Sequence, residues 1–414
     1  MPVVMGLDIG GVNTKACWLE VNRNQIIRAR GESVYFEVWR DPGGLHGVLE
    51  MLKERGRGFD LNPAPRAVGL TMTAELCDVF PSKARGVGAI LAAARQAFTG
   101  IPVYVWTLDG DFVSLVEAEA RPMEVAAANW LASAIALSRS PLVTVTPALL
   151  VDMGSTTTDI LPLAKGKVDV YGRTDAERLT WGELVYTGIL RTPVNSIASS
   201  VFIHGRPCRV ANEYFAIMAD VYRLLGCLQE NDYVAAVPDG GARTPEGCAR
   251  RLARVVASEP EVLGWEGIYA LAWYIREKQI QQIMEAIWQV LSRKWGTGGI
   301  CCREPGPLQP RGQGEERGGW HFGGEEPSKP GRPERRETGG GSAPEGRDWP
   351  RRLIMAGPGI FLLEEVAERL GWEVYPWWEL VPGVQGELTG DRRKERCALT
   401  AYAVASLLAS RLEL

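Results

Sequence analysis

Two aspartate-bearing turns carry the chemistry this chain is equipped for. One is Gly6-Leu7-Asp8-Ile9-Gly10-Gly11-Val12-Asn13-Thr14-Lys15 and the other is Val151-Asp152-Met153-Gly154-Ser155-Thr156-Thr157-Thr158-Asp159. Asp8 and Asp152 stand 144 positions apart, about the length of one domain. Glycine lets a backbone turn tightly and bring its N–H groups to an anion, hydroxyls add donors, and a neighbouring aspartate can hold a divalent cation. Gly10, Gly11, Asn13 and Thr14 in one turn, and Gly154, Ser155, Thr156 and Thr157 in the other, are therefore phosphate-binding candidates. An aspartate at the end of a buried strand is either a turn cap or a metal ligand. The recurrence of the arrangement favours Asp8 and Asp152 as ligands of one divalent cation. Lys15 is a point charge suited to a phosphate oxygen, or else an ordinary lysine on a hairpin strand. Asp159 is a second carboxylate for metal or proton, or a turn residue bonding its own backbone. Two such turns a domain apart suggest a duplicated phosphate clamp with a cation between its jaws.

Further candidates lie between and beyond the turns. Thr73 and Glu75 follow the apolar run Ala67 to Met72, at a strand end where ligand crevices open in α/β folds. Glu75 suits substrate contact or general-base work, or simply starts a helix. Arg173, Arg178, Glu183 and Arg191 fall in a dense polar stretch, where arginines bind carboxylate or diphosphate or merely form surface ion pairs. Asn212 reads as a polar residue at a helix start, for which capping is sufficient reason. Gly357 and Gly359 flank Pro358 before a helix and could receive a phosphate or a base.

The elements that must position these residues alternate in type. Strands are expected at 3–7, 16–21, 67–72 and 103–106, with helices over 44–55, 87–98 and 124–137. A second round opens with strands at 149–153 and 159–163 and continues with helices over 212–225, 245–257 and 265–291. A late strand at 353–356 feeds a helix over 361–370, and a helix from about 395 to 412 closes the chain. The alternation gives an α/β protein of two lobes with a cleft. We assign residues 1–145 to the first lobe and 146–294 to the second. Residues 295–352, rich in Gly, Pro, Arg and Glu with no apolar period, read as a disordered low-complexity insertion. Residues 353–414 read as the return of the second lobe with the closing helix.

Composition narrows the function classes. With 414 residues, 46% of them hydrophobic, the chain can bury two sizeable cores. A net charge of −4 offers no basic field for nucleic acid, and three histidines leave little room for histidine chemistry. Eight cysteines, two adjacent and none in a CxxC pair, suggest neither a zinc ribbon nor a disulfide framework. There is no leader-like start and no apolar run of ~18–20 residues, so a cytoplasmic protein acting on small molecules, without a membrane partner, is expected. Oligomeric state is not specified by any of this.

The paired turns, of the form Asp-x-Gly-x-x-x-Thr-Lys and Asp-x-Gly-Ser-Thr-Thr-Thr-Asp, together with Gly357-Pro358-Gly359, resemble the actin, sugar kinase and heat-shock ATPase superfamily, and within it the hydantoinase/oxoprolinase-like branch. Gly69 to Asp78, Gly172 to Asp175, Gly182 to Gly188 and Ala211 to Ala216 are similar to the tetrahydromethanopterin-linked one-carbon-pathway proteins of that branch. The likeness covers most of the chain outside 295–352. It implies an actin-like, ribonuclease H-like ATPase fold. It also implies a transferase of methanofuran biosynthesis, in which the phenol oxygen of γ-glutamyltyramine displaces diphosphate from an aminomethylfuran-methyl diphosphate. Under that reading the turns, Lys15 and Mg²⁺ on Asp8 and Asp152 stabilise the leaving anion. Glu75 or Asp159 takes the phenol proton, and Arg191 holds the glutamyl carboxylate. The same superfamily also contains two alternatives. One is an ATP-dependent kinase or amidohydrolase with Gly357-Pro358-Gly359 at the adenosine; the other is a non-catalytic, nucleotide-binding actin-like regulator.

Overall fold

Apolar strands and a run of small residues near the C-terminus build the frame of the molecule. The computed structural model describes residues 1–57, 64–293, 350–384 and 398–414. The first lobe opens with β1 (Val3–Ile9), buried along its whole length, then β2 (Asn13–Asn22) and β3 (Gln25–Tyr35). There follow α1 (Leu45–Arg57), β4 (Ala67–Met72), α2 (Lys83–Ala97), β5 (Val103–Trp106) and β6 (Phe112–Ser114). These strands form one sheet in the order β3-β2-β1-β4-β5-β6, antiparallel through β1–β2–β3 and parallel through β1–β4–β5. Short helices α3 (Leu115–Ala120) and α4 (Pro122–Val125) lead to α5 (Asn129–Ser138) and α6 (Pro141–Val145).

The second lobe repeats the plan. β7 (Ala148–Met153) pairs antiparallel with β8 (Thr158–Ala164), which is flanked by β9 (Lys167–Val168) and, after α7 (Asp175–Trp181), by β10 (Leu184–Val185). Helix α8 (Val194–Ile197), the hairpin β11 (Ser200–Ile203) and β12 (Arg206–Arg209), then α9 (Met218–Leu224), α10 (Pro245–Arg254) and α11 (Pro260–Ser292) supply the helical part. β13 (Arg352–Ala356), α12 (Ile360–Leu370) and β14 (Glu373–Pro376) bring the chain back into the second sheet, parallel to β7, and α13 (Leu399–Arg411) ends it. An antiparallel three-strand start continued by parallel strands, occurring twice, is the duplicated ribonuclease H-like architecture of the actin-like ATPases: two α/β lobes and a central cleft.

Helices α5 and α13 fill the space between the sheets. Their alanines share one core with Val4 and Leu19 of the first sheet and Leu150, Leu161 and Ile354 of the second. The approach of α13 is close enough to fix residue type on β1. A Cβ on Gly6 would lie 2.0 Å from the Ala401 carbonyl oxygen, so only glycine fits there. Residues 353–414 thus divide: β13 and β14 rejoin the second sheet, whereas α13 packs on β1, β2 and β4 of the first.

Three helix expectations change. The helix over 124–137 is broken at Ala127, whose φ of +50° redirects the chain between α4 and α5. The helix over 212–225 shrinks to Met218–Leu224, because Ile217 forms a β-bridge with Pro193 immediately before it. The helix expected over 265–291 begins at Pro260 and carries a non-helical Gly264 at φ +68°. The low-complexity insertion expected over 295–352 lies, except for 350–352, outside the described residues. No helix among the described residues is long and apolar enough to cross a membrane.

Candidate active site

Both aspartate turns open into the same cleft of about 1550 Å³. In the first hairpin the register sets Asp8 opposite Lys15, and Lys15 Nζ donates to Asp8 Oδ2 at 3.0 Å. Asp8 is 2% exposed, and its Oδ1 has no hydrogen-bond partner. Asp8 holds the Lys15 ammonium above its usual range against the effect of burial, and Asp152 and Asp159 add to this. In the second hairpin the register sets Asp152 opposite Asp159. Burial, then the charges of Asp159 and Asp8, push the Asp152 carboxyl up to about 7, with Lys15 opposing. Asp8 and Asp152 are therefore within each other's field across the cleft. Arg178, itself buried, binds Asp159 Oδ1 at 2.6 Å and lies over the Trp130 ring at 4.3 Å.

The turns are braced through their carbonyls. Gly10 N–H donates to Asn13 O at 3.0 Å, while Gly11 O and Val12 O accept from Val38 and Phe36. Gly154 N–H donates to Thr157 O at 2.8 Å, and Ser155 O accepts from Leu190 and Arg191. Below the second turn, Thr158 Oγ1 donates to Thr187 O at 2.6 Å, and Gln279 Nε2 holds Thr187 Oγ1 and Gly188 O. Among the described residues the amides of Gly11, Val12 and Ser155 donate to no protein acceptor, which leaves them for an anion. Gly357, at φ +79°, packs so tightly that a Cβ would come within 2.5 Å of Asp152 Oδ1.

The cleft wall thus includes Asp8, Lys15, Asp152, Asp159, Gly10, Gly11, Asn13, Gly154, Ser155, Thr156, Thr157, Gly357, Thr73 and Arg191. Six other candidates lie off it. Thr14 is buried with its hydroxyl unpartnered, and Gly359 packs on Met153. Arg173 pairs with Asp109 and donates to Leu108 O on the exterior. Glu183 is fully buried and accepts from the amides of Tyr171 and Gly172 at 2.6 and 2.8 Å, a purely internal clamp. Asn212 caps no helix and instead accepts from Asn195 at 3.2 Å. Glu75 departs furthest from expectation. The short 3-10 turn Ala74–Leu76 rotates its side chain into the core, where it is 1% exposed with both carboxyl oxygens unpartnered. Burial pushes that carboxyl up to about 7. It does not line the cleft and is not placed to take a proton there.

Sequence reasoning missed the aromatic lining: Tyr35, Trp39, Phe361, Trp377 and Trp378 all lie on the wall. Tyr186 lies there too, within a stretch that drew notice for its arginines. Scattered over 35–378, these residues give no local pattern; the adjacent Trp377-Trp378 pair is the one available signal. A separate hollow of about 420 Å³ against the β2–β3 turn has no ionisable side chain.

Among the described residues no three His, Cys, Asp or Glu side chains converge as a ready-made metal cluster. Mg²⁺ asks for less: one or two carboxylates, with phosphate oxygens and water completing the shell. The orphaned, buried Asp8 Oδ1 and the like-charge crowding at Asp152 fit that demand.

Residues 66–297 match the hydantoinase/oxoprolinase family model. The chain is 34% identical over 291 residues to the (4-{4-[2-(γ-L-glutamylamino)ethyl]phenoxymethyl}furan-2-yl)methanamine synthase of Methanocaldococcus jannaschii, covering 70% of this chain and 82% of that protein. The synthase of the same name from Methanococcus vannielii is 35% identical over 152 residues, covering 37% of this chain and 68% of that one. Among solved structures, the (R)-2-hydroxyglutaryl-CoA dehydratase component A of Acidaminococcus fermentans aligns over 100% of this chain and 99% of its own, at 9% identity and a TM-score of 0.42.

Proposed function

The chain belongs to the hydantoinase/oxoprolinase family, and we propose that within it the protein forms an aryl ether for methanofuran-type cofactor synthesis. In this reaction the phenol oxygen of γ-glutamyltyramine attacks the exocyclic methylene of an aminomethylfuran-methyl diphosphate. The new C–O bond forms as the bond to diphosphate breaks, and the phenol proton passes to a carboxylate. The observation that carries this reading is the 34% identity to a synthase of that name over 82% of its length. The cleft supports it with an anion-binding floor and an aromatic wall for two ring substrates.

A furfuryl carbon tolerates positive charge as its leaving group departs, so the protein's main task is to receive diphosphate. Lys15 and the free turn amides supply donors for it. Asp8 and Asp152 would hold Mg²⁺, whose chemistry here is neutralisation of the leaving diphosphate. Of the two expected bases, Asp159 is the one on the cleft wall, and Arg178 engages its Oδ1, leaving Oδ2 for the phenol proton. Pro358, Ile360 and Phe361 beside Gly357 also suit a nucleotide base, which keeps an ATP-dependent reaction as the second reading. Incubation with Mg²⁺, both substrates or ATP, followed by mass detection of the ether and assay of diphosphate and ADP, separates the two. Vigorous ATP hydrolysis with no ether would sink the synthase.

A further inference from the structure

Two charged side chains on the cleft wall have nothing to neutralise them. Asp78, two residues past the 3-10 turn of the first lobe, and Arg191, just after the brace of the second turn, are both exposed and both line the cleft. Among the described residues neither forms a hydrogen bond or ion pair through its side chain, and they do not pair with each other. Both nevertheless act on one group of that wall. The Cys77 thiol, raised chiefly by burial, feels Arg191 lowering it and Asp78 raising it. Arg191 likewise acts on Tyr35 of the first lobe, another residue of the same wall.

A cation on one lobe and an anion on the other, unpaired and facing one cavity, match a ligand group that carries both charges at once. We infer that Asp78 and Arg191 form a receptor for a zwitterionic α-amino-acid head, Arg191 taking its carboxylate and Asp78 its ammonium. This rests on the synthase reading, where a γ-linked glutamyl amide leaves the α-ammonium and α-carboxylate both free. The fork of an arginine suits a carboxylate, and an ammonium suits a lone aspartate. Because the two residues come from different lobes, the bound head ties the lobes together over the reacting rings. The ligand's own charges thereby set which phenol is accepted.

The test compares three phenols in the full-length protein: γ-glutamyltyramine, its glutaryl analogue lacking the ammonium, and its 4-aminobutanoyl analogue lacking the carboxylate. The wild type should favour the first by roughly 10- to 100-fold in kcat/KM, the range for a hydrogen bond to a charged group. Asp78→Asn should erase discrimination against the glutaryl compound alone, and Arg191→Gln against the aminobutanoyl compound alone. Equal use of all three by the wild type, or parallel losses on all three in either variant, overturns the receptor while leaving the synthase standing. If no phenol is coupled at all, the synthase reading fails. Calorimetric titration of the same three compounds then decides the receptor: preference for the zwitterion keeps it and equal affinities remove it.

Discussion

Gly188, which lies in no glycine motif of the kind the sequence advertises, should matter more to the second turn than Gly154, which does. A methyl group added at Gly188 would lie 2.4 Å from Thr156 N, 2.5 Å from Ser155 C and 2.7 Å from Gly154 O, all backbone atoms of the turn. None of these is a flexible side-chain end that can swing aside. Relief to ordinary contact requires the turn to move by about 1 Å, and overpacking of that kind costs about 1–3 kcal/mol. The turn would move toward the cleft, away from Thr187 and Gly188, which Gln279 holds from behind. A misplacement of about 1 Å at a catalytic element can cost ~100-fold in rate. Gly154→Ala is the control, since its Cβ would meet only Thr157 O, at 3.3 Å, and neither glycine has a positive φ. Gly188→Ala is expected to lower Tm by a few degrees and kcat/KM by ~100-fold, whereas Gly154→Ala leaves both nearly unchanged. The readouts are calorimetry and diphosphate release with Mg²⁺. Equal losses in the two variants, or a larger loss in Gly154→Ala, would refute the view that the 187–188 segment positions the turn.

Three further outcomes follow from buried charge. Asp152→Asn should abolish turnover and weaken Mg²⁺-dependent diphosphate binding while Tm holds or rises at pH 8, because burial already disfavours the Asp152 carboxylate; a fall in Tm matching the loss of activity would point to a structural role. Glu75 is raised from 4.5 to about 7, so the folded state binds its proton more tightly than the unfolded chain does. Its stabilisation is present at low pH and is lost as pH climbs from about 4.5 to 7, a change on the order of 3 kcal/mol. Glu75→Gln should therefore match the wild type at pH 5 and exceed it at pH 8 in urea midpoint, and identical pH profiles would contradict the assignment. Asp220→Ala removes the carboxylate that holds Arg251 at 2.7 Å and leaves this 1%-exposed guanidinium with Asp239 as its remaining carboxylate, at 3.1 Å. It should cost ~1–3 kcal/mol, read as a shift in urea midpoint; no measurable shift would mean that Asp239 alone satisfies the guanidinium.

The strands and the two turns were legible because their signals are local: an apolar run, a glycine, then hydroxyls within ten residues. What was not legible depended on contacts distant in sequence. The face on which α13 packs is hidden by its composition, since Ala401, Ala403, Ala405 and Ala409 are buried around its whole circumference. Glu75 was read as a cleft acid from its place after a strand, yet the 3-10 turn buries Ala74 and Glu75 in the core while Thr73, Leu76 and Cys77 line the cleft. Asn212 was placed at a helix start, but that helix begins only at Met218, after the Pro193–Ile217 bridge. The aromatic wall draws one residue each from β3, the loop after it and α12 and two from the turn after β14, so no window of sequence contains it.

The duplicated plan also explains how the cleft tolerates three carboxylates beside an anion. Asp8 and Asp152 occupy equivalent hairpin positions, and the residues opposite them in register, seven places on, are Lys15 and Asp159. One lobe therefore offers a cation where the other offers an acid. Left bare, Asp159 would repel diphosphate as strongly as Lys15 attracts it. Arg178 prevents this: it comes from α7, caps Asp159 at 2.6 Å, and is fixed against Trp130 at the start of α5, the helix between the sheets. Pairing offsets part of the Asp159 charge, which is still felt at Asp152 and Lys15, and a metal ion on Asp8 would leave Lys15 free for phosphate. Under the proposed reaction the asymmetry would give the cleft a direction, with the leaving anion on the Lys15 side and the proton acceptor on the Asp159 side. A symmetric pair of turns, with lysine or aspartate at both places, would not provide that order.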